Sequence, residues 1–176
     1  PRATPAAAAT LAGCPASRPA TALTVVHRFS VAPDDITVDR SGRIWVTTDA
    51  TNQMYGMDQG GAGLTVETVP HGPEGVVVDG ASFYVAVQDV NAIVELRPQA
   101  RTVVTLPARR GNLGVDGLGI DSAQRRLLIP DSPTGSLYVL PFDPSAAPLE
   151  LLASGLGRPV APTTHPAGNV YTATEA

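Results

Sequence analysis

The sequence predicts an all-β fold built from a repeated unit of four short strands. The unit begins as Pro-Asp-Asp-Ile-Thr-Val-Asp at residues 33–39 and returns as Pro-Glu-Gly-Val-Val-Val-Asp at residues 73–79 and Val-Asp-Gly-Leu-Gly-Ile-Asp at residues 115–121. Aligned positions follow at spacings of 40, 42 and 44 residues: Asp39, Asp79, Asp121 and His165. A period of this size, with turn residues between short apolar strands, predicts a β-propeller of four-stranded antiparallel blades.

Each predicted strand is a short run rich in β-branched and aromatic residues, and each is bounded by turn residues. The first predicted blade has the strands Asp35–Asp39, Ile44–Thr48, Gln53–Asp58 and Leu64–Val69. The second has Gly75–Asp79, Phe83–Val87, Ala92–Arg97 and Arg101–Leu106. The third has Gly117–Asp121, Arg126–Ile129, Ser136–Phe142 and Leu149–Ala153. A lone strand, Leu23–Phe29, precedes them, and a fourth blade stops after its second strand at Glu175.

The strand count predicts about three and a half blades in a partial propeller domain over residues 23–176. One such unit cannot bury its own apolar faces, so neighbouring blades must stack around an axis. The last blade would still lack its third strand if the other terminus completed it with one strand, so we interpret the chain as a fragment of a larger propeller and not as a complete four-bladed one. No helix of more than two turns is expected within residues 33–157.

The first 22 residues differ from the rest, since they are rich in Pro, Ala, Thr and Ser and have no period. We expect a disordered tether there. It contains Leu11-Ala12-Gly13-Cys14, which resembles the lipobox of bacterial lipoproteins, in which the cysteine carries lipid. Lipidation of Cys14 would tether the protein to a membrane and predicts an extracytoplasmic location, either secreted or lipid-anchored. The alternative is an Ala-rich linker with one incidental cysteine.

The composition of the chain limits the class of protein and the kinds of partner that it can have. The chain is 43% apolar, which indicates a globular protein, and its formal charge of −4 argues against nucleic acid as a partner. A single cysteine excludes an intramolecular disulfide. No apolar run approaches the roughly 20 residues of a membrane-spanning helix.

Acidic residues recur where the innermost strand of each blade begins. Asp34, Glu74 and Asp116 hold this position in three blades, and Val160 holds it in the fourth. Carboxylates that converge on one axis repel each other unless a cation or a proton neutralises them. Oxygen ligands favour Ca²⁺, Mg²⁺ or Mn²⁺, with Zn²⁺ possible, so these three residues are candidate metal ligands. The alternative is that each carboxylate bonds to the amides of a turn.

The second strand of each blade ends on the same face, and the residues there are candidates to support the ligands: Asp49, Gln88, Asp131 and Glu175.

Residues 70–145 resemble the SMP-30/gluconolactonase/luciferin-regenerating family, through Asp116-Gly117-Leu118-Gly119-Ile120-Asp121 and the Leu127–Ser132 and Gly135–Asp143 segments. The resemblance implies a six-bladed propeller with one axial divalent metal and hydrolase activity on sugar lactones or related esters. Asp116 stands where the family has a metal-binding Asn, and Glu74-Gly75 is similar to its Glu-Gly ligand motif. The family's Pro-Asp-Gly base falls at Val160, so that residue is missing. NHL-type and virginiamycin-lyase-like propellers fit residues 33–97 nearly as well.

Two functions from different classes follow. The first is a metal-dependent lactone or ester hydrolase in which Glu74 and Asp116 bind the cation, Asp34 is the third carboxylate or the base, and Asp34 and Asp116 carry the catalysis. The second is a non-catalytic NHL-like propeller whose top face binds a protein or a glycan. The axial carboxylates favour the first function, and Val160 favours the second.

Overall fold

The computed structural model describes residues 24–107, 114–143 and 148–175. The tether predicted over residues 1–22, with its lipobox and Cys14, lies outside these residues. The described chain is all-β, and its longest helical pieces are two 3-10 turns of three residues, Asp49–Thr51 and Gln88–Val90. No helix in these ranges is long and apolar enough to cross a bilayer.

Three antiparallel sheets of four strands match the predicted blades one to three. Blade one contains β1 Ile36–Val38, β2 Ile44–Thr48, β3 Gln53–Met57 and β4 Thr65–Thr68. Blade two contains β5 Pro73–Asp79, β6 Ser82–Val87, β7 Ala92–Glu95 and β8 Arg101–Thr105. Blade three contains β9 Gly119–Asp121, β10 Arg126–Asp131, β11 Ser136–Pro141 and β12 Glu150–Ala153. In each sheet the strands pair in chain order, as a meander.

The fourth blade is described over two strands, β13 Arg158–Thr164 and β14 Val170–Glu175, which pair antiparallel. Both strands that the sequence predicted for this blade are present.

Alternation along the second strand of each blade builds the core between neighbouring blades. Trp45 points from blade one towards blade two and packs in a buried cluster with Val76 and Phe83. Tyr84 does the same between blades two and three, in a cluster with Leu118 and Leu127. Every second residue therefore faces the next blade, and the residues between them face the previous one.

Two local expectations were wrong. Residues 24–29 form no strand, although the sequence predicted one at Leu23–Phe29. This segment instead lies against blade one, where the Phe29 ring meets the Tyr55 ring edge-to-face at 5.1 Å. Gly117 was placed inside an inner strand, but its φ of +73° interrupts the extended backbone, and β9 begins only at Gly119.

Candidate functional site

The inner strands of successive blades approach each other closely at the end where they begin. A Cβ atom at Gly75 would lie 2.6 Å from the amide nitrogen of Leu118 and still closer to the backbone of Gly117. A Cβ at Gly117 would in turn lie 2.7 Å from the amide nitrogen of Ala161. The residues that precede these two glycines are Glu74 and Asp116. Glycine is therefore what allows consecutive blades to carry acidic side chains so near to one another.

The three predicted ligands come together at this end. The carboxyl groups of Glu74 and Asp34 are hydrogen-bonded to each other, and Asp116 lies near enough to act on Glu74 electrostatically. Desolvation, the bond to Asp34 and the surrounding negative charge raise the pKa of Glu74 to about 9. Desolvation and the charges of Glu175 and Asp34 raise the pKa of Asp116 to about 6. At neutral pH Glu74 therefore carries a proton, while Asp116 is mostly ionised.

We call Asp34, Glu74 and Asp116 the axial carboxylates. Further acidic groups surround these three residues. Asp49 acts on Glu74, and its own pKa is raised by desolvation and by the charge of Asp89. A Cβ atom at Gly72, whose φ is +68°, would lie close to Oδ1 of Asp49 and 3.3 Å from Oδ2 of Asp89. Asp49 therefore lies near enough to Asp34 and Glu74 to interact with both electrostatically, while a supporting role for it stays a prediction.

An ion pair of blade four brings positive charge to the site. Arg158, at the start of β13, forms an ion pair of 2.7 Å with Glu175, at the end of β14. The charge of Arg158 lowers the pKa of Asp116 and so opposes the effect of Glu175. The fourth blade therefore contributes a guanidinium and a carboxylate to the surroundings of Asp116, although Val160 occupies the axial position itself.

The two other supporting residues lie in different surroundings. Gln88 begins the 3-10 turn after β6, and its backbone amide donates to the carbonyl of Gly72 at 2.8 Å. Asp131 is fully buried and is the last residue of β10. Its Oδ2 accepts a hydrogen bond of 2.7 Å from the hydroxyl of Thr134. Desolvation raises the pKa of Asp131, and its neighbours Thr134 and Asn91 lower it.

The pairing register of the strands shows that Asp131 and Asp49 do not hold equivalent positions in their blades. In blade three Asp131 pairs with Ser136, as Thr48 pairs with Gln53 and Val87 with Ala92. Asp131 therefore matches Thr48 and Val87, the last residues of their strands, whereas Asp49 and Gln88 each come one residue later.

The axial carboxylates suit a hard cation by the chemistry of their donors, since all three offer carboxylate oxygens. Among the described residues, however, no group of three His, Cys, Asp or Glu side chains is already arranged to hold a metal ion. The fit therefore rests on the donor set and not on a preformed coordination shell.

Sequence reasoning missed several residues that organise this end of the molecule. Asp35 stands where blades two and three have Gly75 and Gly117. A carboxylate at a position that is otherwise glycine could have singled out Asp35 from the sequence. Asn52 and Asn91 stand just before the third strands of blades one and two, both with positive φ. The side-chain oxygen of Asn52 accepts a hydrogen bond of 2.7 Å from the backbone amide of Gly72, and that of Asn91 accepts one of 2.9 Å from the backbone amide of Val115. Each asparagine is therefore hydrogen-bonded to the segment that enters the next blade.

Comparison with known proteins identifies the architecture. The structure resembles virginiamycin B lyase from Staphylococcus aureus with a TM-score of 0.63 and 14% identity, over 78% of this chain and 47% of that one. A streptogramin B lyase gives a TM-score of 0.62 and 16% identity over 80% of this chain and 47% of that chain. A chain of the nidogen–laminin complex gives 0.72 and 20% identity over 86% of this chain and 59% of that chain. The fold is a β-propeller.

These similarities are of fold alone, because all three identities are low. The chain spans about half the length of the two lyase chains it matches. No family model matches the sequence, and no curated protein matches it either. The all-β propeller predicted from the repeat is therefore confirmed, while membership of the SMP-30/gluconolactonase family stays a prediction.

Proposed function

We propose that this propeller is a metal-dependent hydrolase of a lactone or a related ester, and that the axial carboxylates are its active site. The observation that carries the proposal is the hydrogen-bonded pair of Asp34 and Glu74 with Asp116 beside it. Clusters of groups with perturbed pKa values are typical of catalytic sites, because catalysis needs both proton donors and proton acceptors near neutral pH.

Each residue has a role in the proposed reaction. Asp116, with a pKa of about 6, is ionised at neutral pH and so offers its carboxylate oxygens to a cation. Asp34 is the exposed member of the pair and is hydrogen-bonded to Glu74, and we assign it the role of third ligand or of base. Asp34, Glu74 and Asp116 would hold a divalent cation, which when bound polarises a substrate carbonyl and acidifies water. Arg158 keeps one positive charge beside the negative groups.

A second candidate function is a propeller that binds a protein or a glycan without catalysis. Val160 favours it, because the family that the sequence resembles has its catalytic base at that position. One of the similar structures is a nidogen–laminin complex, which is a protein assembly. In that case the axial carboxylates would form a recognition surface for a partner that carries positive charge.

Calorimetric titration of the chelator-treated protein with Ca²⁺, Mg²⁺, Mn²⁺ and Zn²⁺ separates the two functions. The hydrolase proposal expects one binding site, with affinity lost in Asp116→Ala and in Glu74→Gln. Asp131→Asn should weaken binding less, since Asp131 bonds to Thr134 away from the trio. Glu150→Gln, an exposed carboxylate on β12, is the matched control.

Turnover is then measured on a panel of sugar lactones, aliphatic lactones and aryl esters. Hydrolysis that requires the added cation and disappears in Asp116→Ala supports the proposal. Absence of both metal binding and turnover would overturn it and leave the binding propeller.

A further inference from the structure

A cleft between blades one and two opens at the end of the propeller opposite to the axial carboxylates. β5 carries Glu74 at its start and leads, at its other end, into the turn at Gly80 and Ala81 that lines the cleft. From Glu74 to Gly80 the extended chain rises roughly 20 Å, so the cleft is separate from the proposed active site. Its volume of about 560 Å³ is within the range of small-molecule sites. The residues that line it are Asp39, Gly80, Ala81, Phe83, Arg97 and Pro98.

The size of this cleft is not a general property of the junctions between blades. The equivalent cleft between blades three and four has a volume of only about 250 Å³. Its walls include Asp121 and His165, which hold the positions of Asp39 and Asp79 in the repeat. The larger cleft therefore depends on side chains that are particular to blades one and two.

Arg97 brings a positive charge to the cleft and is held across the junction. Its guanidinium carbon lies 4.6 Å from the centroid of the Phe83 ring and 5.3 Å from that of the Trp45 ring, so both rings attract the cation. Its Nη2 forms an ion pair with Glu67, on β4 of blade one. Among the residues that the structure describes, Nε and Nη1 of Arg97 make no hydrogen bond. The guanidinium is therefore fixed in position while some of its donors stay open.

The turn between the first two strands of blade two adds further open donors. Asp79 pairs with Ser82, so Gly80 and Ala81 form a two-residue turn in which Gly80 has a φ of +61°. Within the described ranges, the backbone amides of Gly80 and Ala81 donate to no acceptor. Two amides and a guanidinium thus line one cleft with unused hydrogen-bond donors.

Asp39 also lines the cleft, but its carboxylate is already engaged by its own blade. Oδ1 accepts hydrogen bonds from the backbone amides of Ser41 at 2.8 Å and Arg43 at 3.1 Å. Oδ2 accepts one of 2.9 Å from the indole nitrogen of Trp45. A ligand in the cleft therefore meets open donors more than open acceptors, which favours a ligand that brings acceptor oxygens.

We propose that this cleft binds a small aromatic carboxylate. One carboxylate oxygen would accept a hydrogen bond from Nη1 of Arg97, and the amides of Gly80 and Ala81 provide donors for the other. The aromatic ring would lie against Phe83 and Pro98, the apolar part of the wall. A cationic ligand would be repelled by Arg97, and an apolar ligand without acceptors would leave the donors unpaired.

Titration of the full chain with naphthoate, followed by amide NMR in the presence of a chelator, tests the proposal. The backbone amides of Gly80 and Ala81 and the indole N–H of Trp45, the one tryptophan of the chain, should shift and saturate. The amides of Gly75 and Gly117, beside the axial carboxylates, should not move. Naphthamide has the same ring without the charge and should bind about tenfold more weakly or worse, because it lacks the charge-assisted hydrogen bonds.

Two variants locate the binding. Arg97→Gln should weaken naphthoate binding about tenfold or more, because the charged donor is lost. Ala81→Leu narrows the cleft from an exposed turn residue, so it should weaken binding without removing buried core. Arg125→Gln is the matched control and should bind as the unsubstituted protein does, since Arg125 also lies over a phenylalanine ring, Phe142 at 5.7 Å, but in blade three.

Three outcomes would overturn the proposal. The first is the absence of saturable naphthoate binding, or shifts confined to amides outside the cleft. The second is equal affinity for naphthoate and naphthamide. The third is an affinity that both Arg97→Gln and Ala81→Leu leave unchanged.

Discussion

The carboxylate of Asp35 accepts a hydrogen bond of 2.8 Å from the backbone amide of Val76 and so joins the inner strands of blades one and two. Its other oxygen accepts the amide of Ile36 at 2.8 Å. Burial raises the pKa of Asp35, and these two backbone bonds only partly offset the cost of desolvation. The hydroxyl of Thr47 reinforces the junction by donating to the carbonyl of Glu74 at 2.5 Å.

Replacement of Asp35 should therefore loosen the first junction. Asp35→Ala leaves the amide of Val76 without its acceptor, so we expect a loss of about 1–3 kcal/mol in the free energy of unfolding. Asp35→Asn keeps an acceptor oxygen and should lose less. Urea unfolding measures both variants, with Glu150→Ala as the exposed control, expected within about 0.5 kcal/mol of the unsubstituted protein. Equal stability of the Asp35→Ala and Glu150→Ala proteins would contradict the structural role.

Close approach of the inner strands should make Gly75 intolerant of any side chain. A methyl group in Gly75→Ala would collide with the backbone of Gly117 and Leu118, which cannot move aside as a flexible side chain would. We expect a loss of about 1–3 kcal/mol from overpacking, measured by thermal or urea unfolding. Gly60→Ala is the control, because nothing lies within 4 Å of the added methyl group. Comparable losses in both variants would show that the blades do not meet at Gly75.

The raised pKa values of Glu74 and Asp116 should make the free energy of unfolding depend on pH. In the folded protein Glu74 keeps its proton up to about pH 9, whereas in the unfolded chain it ionises near its ordinary pKa of 4.5. Unfolding therefore releases a proton between these values, so stability should fall as pH rises through that window and level off above it. Asp116, with its pKa raised from 3.8 to about 6, adds a fall at the lower end.

Melting temperatures measured across this window in the presence of a chelator provide the test. Glu74→Gln should flatten the profile, since an amide has no proton to release, whereas Glu150→Gln should leave it unchanged. A divalent cation that binds the folded site should raise the melting temperature most at high pH, where more carboxylates are ionised. A profile in Glu74→Gln that is as steep as in the unsubstituted protein would show that other groups set the dependence.

The tether hypothesis concerns residues outside the described structure and has a separate test. If Cys14 carries lipid, the full chain preceded by a secretion signal and expressed in a bacterium should partition into detergent. Cys14→Ser should then move to the aqueous phase, because the thiol is the attachment point. Equal partitioning of the two proteins would leave the linker interpretation and remove the argument for a membrane anchor.

The sequence by itself determined the strands and their order, because alternation and turn chemistry act over only a few residues. Residues 44–48 were predicted as the second strand of blade one with the bounds that the structure has. The 40-residue repeat further predicted that Asp34 and Glu74 hold equivalent positions and so face the same axis. In the structure their carboxyl groups are hydrogen-bonded to each other, while their role as metal ligands or catalytic residues stays a prediction.

Tertiary structure alone decided the contacts that join different blades, because they depend on how segments far apart in sequence stack and on their register. Arg158 reaches the neighbourhood of Asp116 only through the packing of blade four on blade three. Asp131 looked equivalent to Asp49 from the spacing of acidic residues, yet its register places it inside the strand and buries it. Residues 24–29 have a strand-like pattern, but a strand forms only where a partner offers backbone hydrogen bonds, and none does so among the described residues.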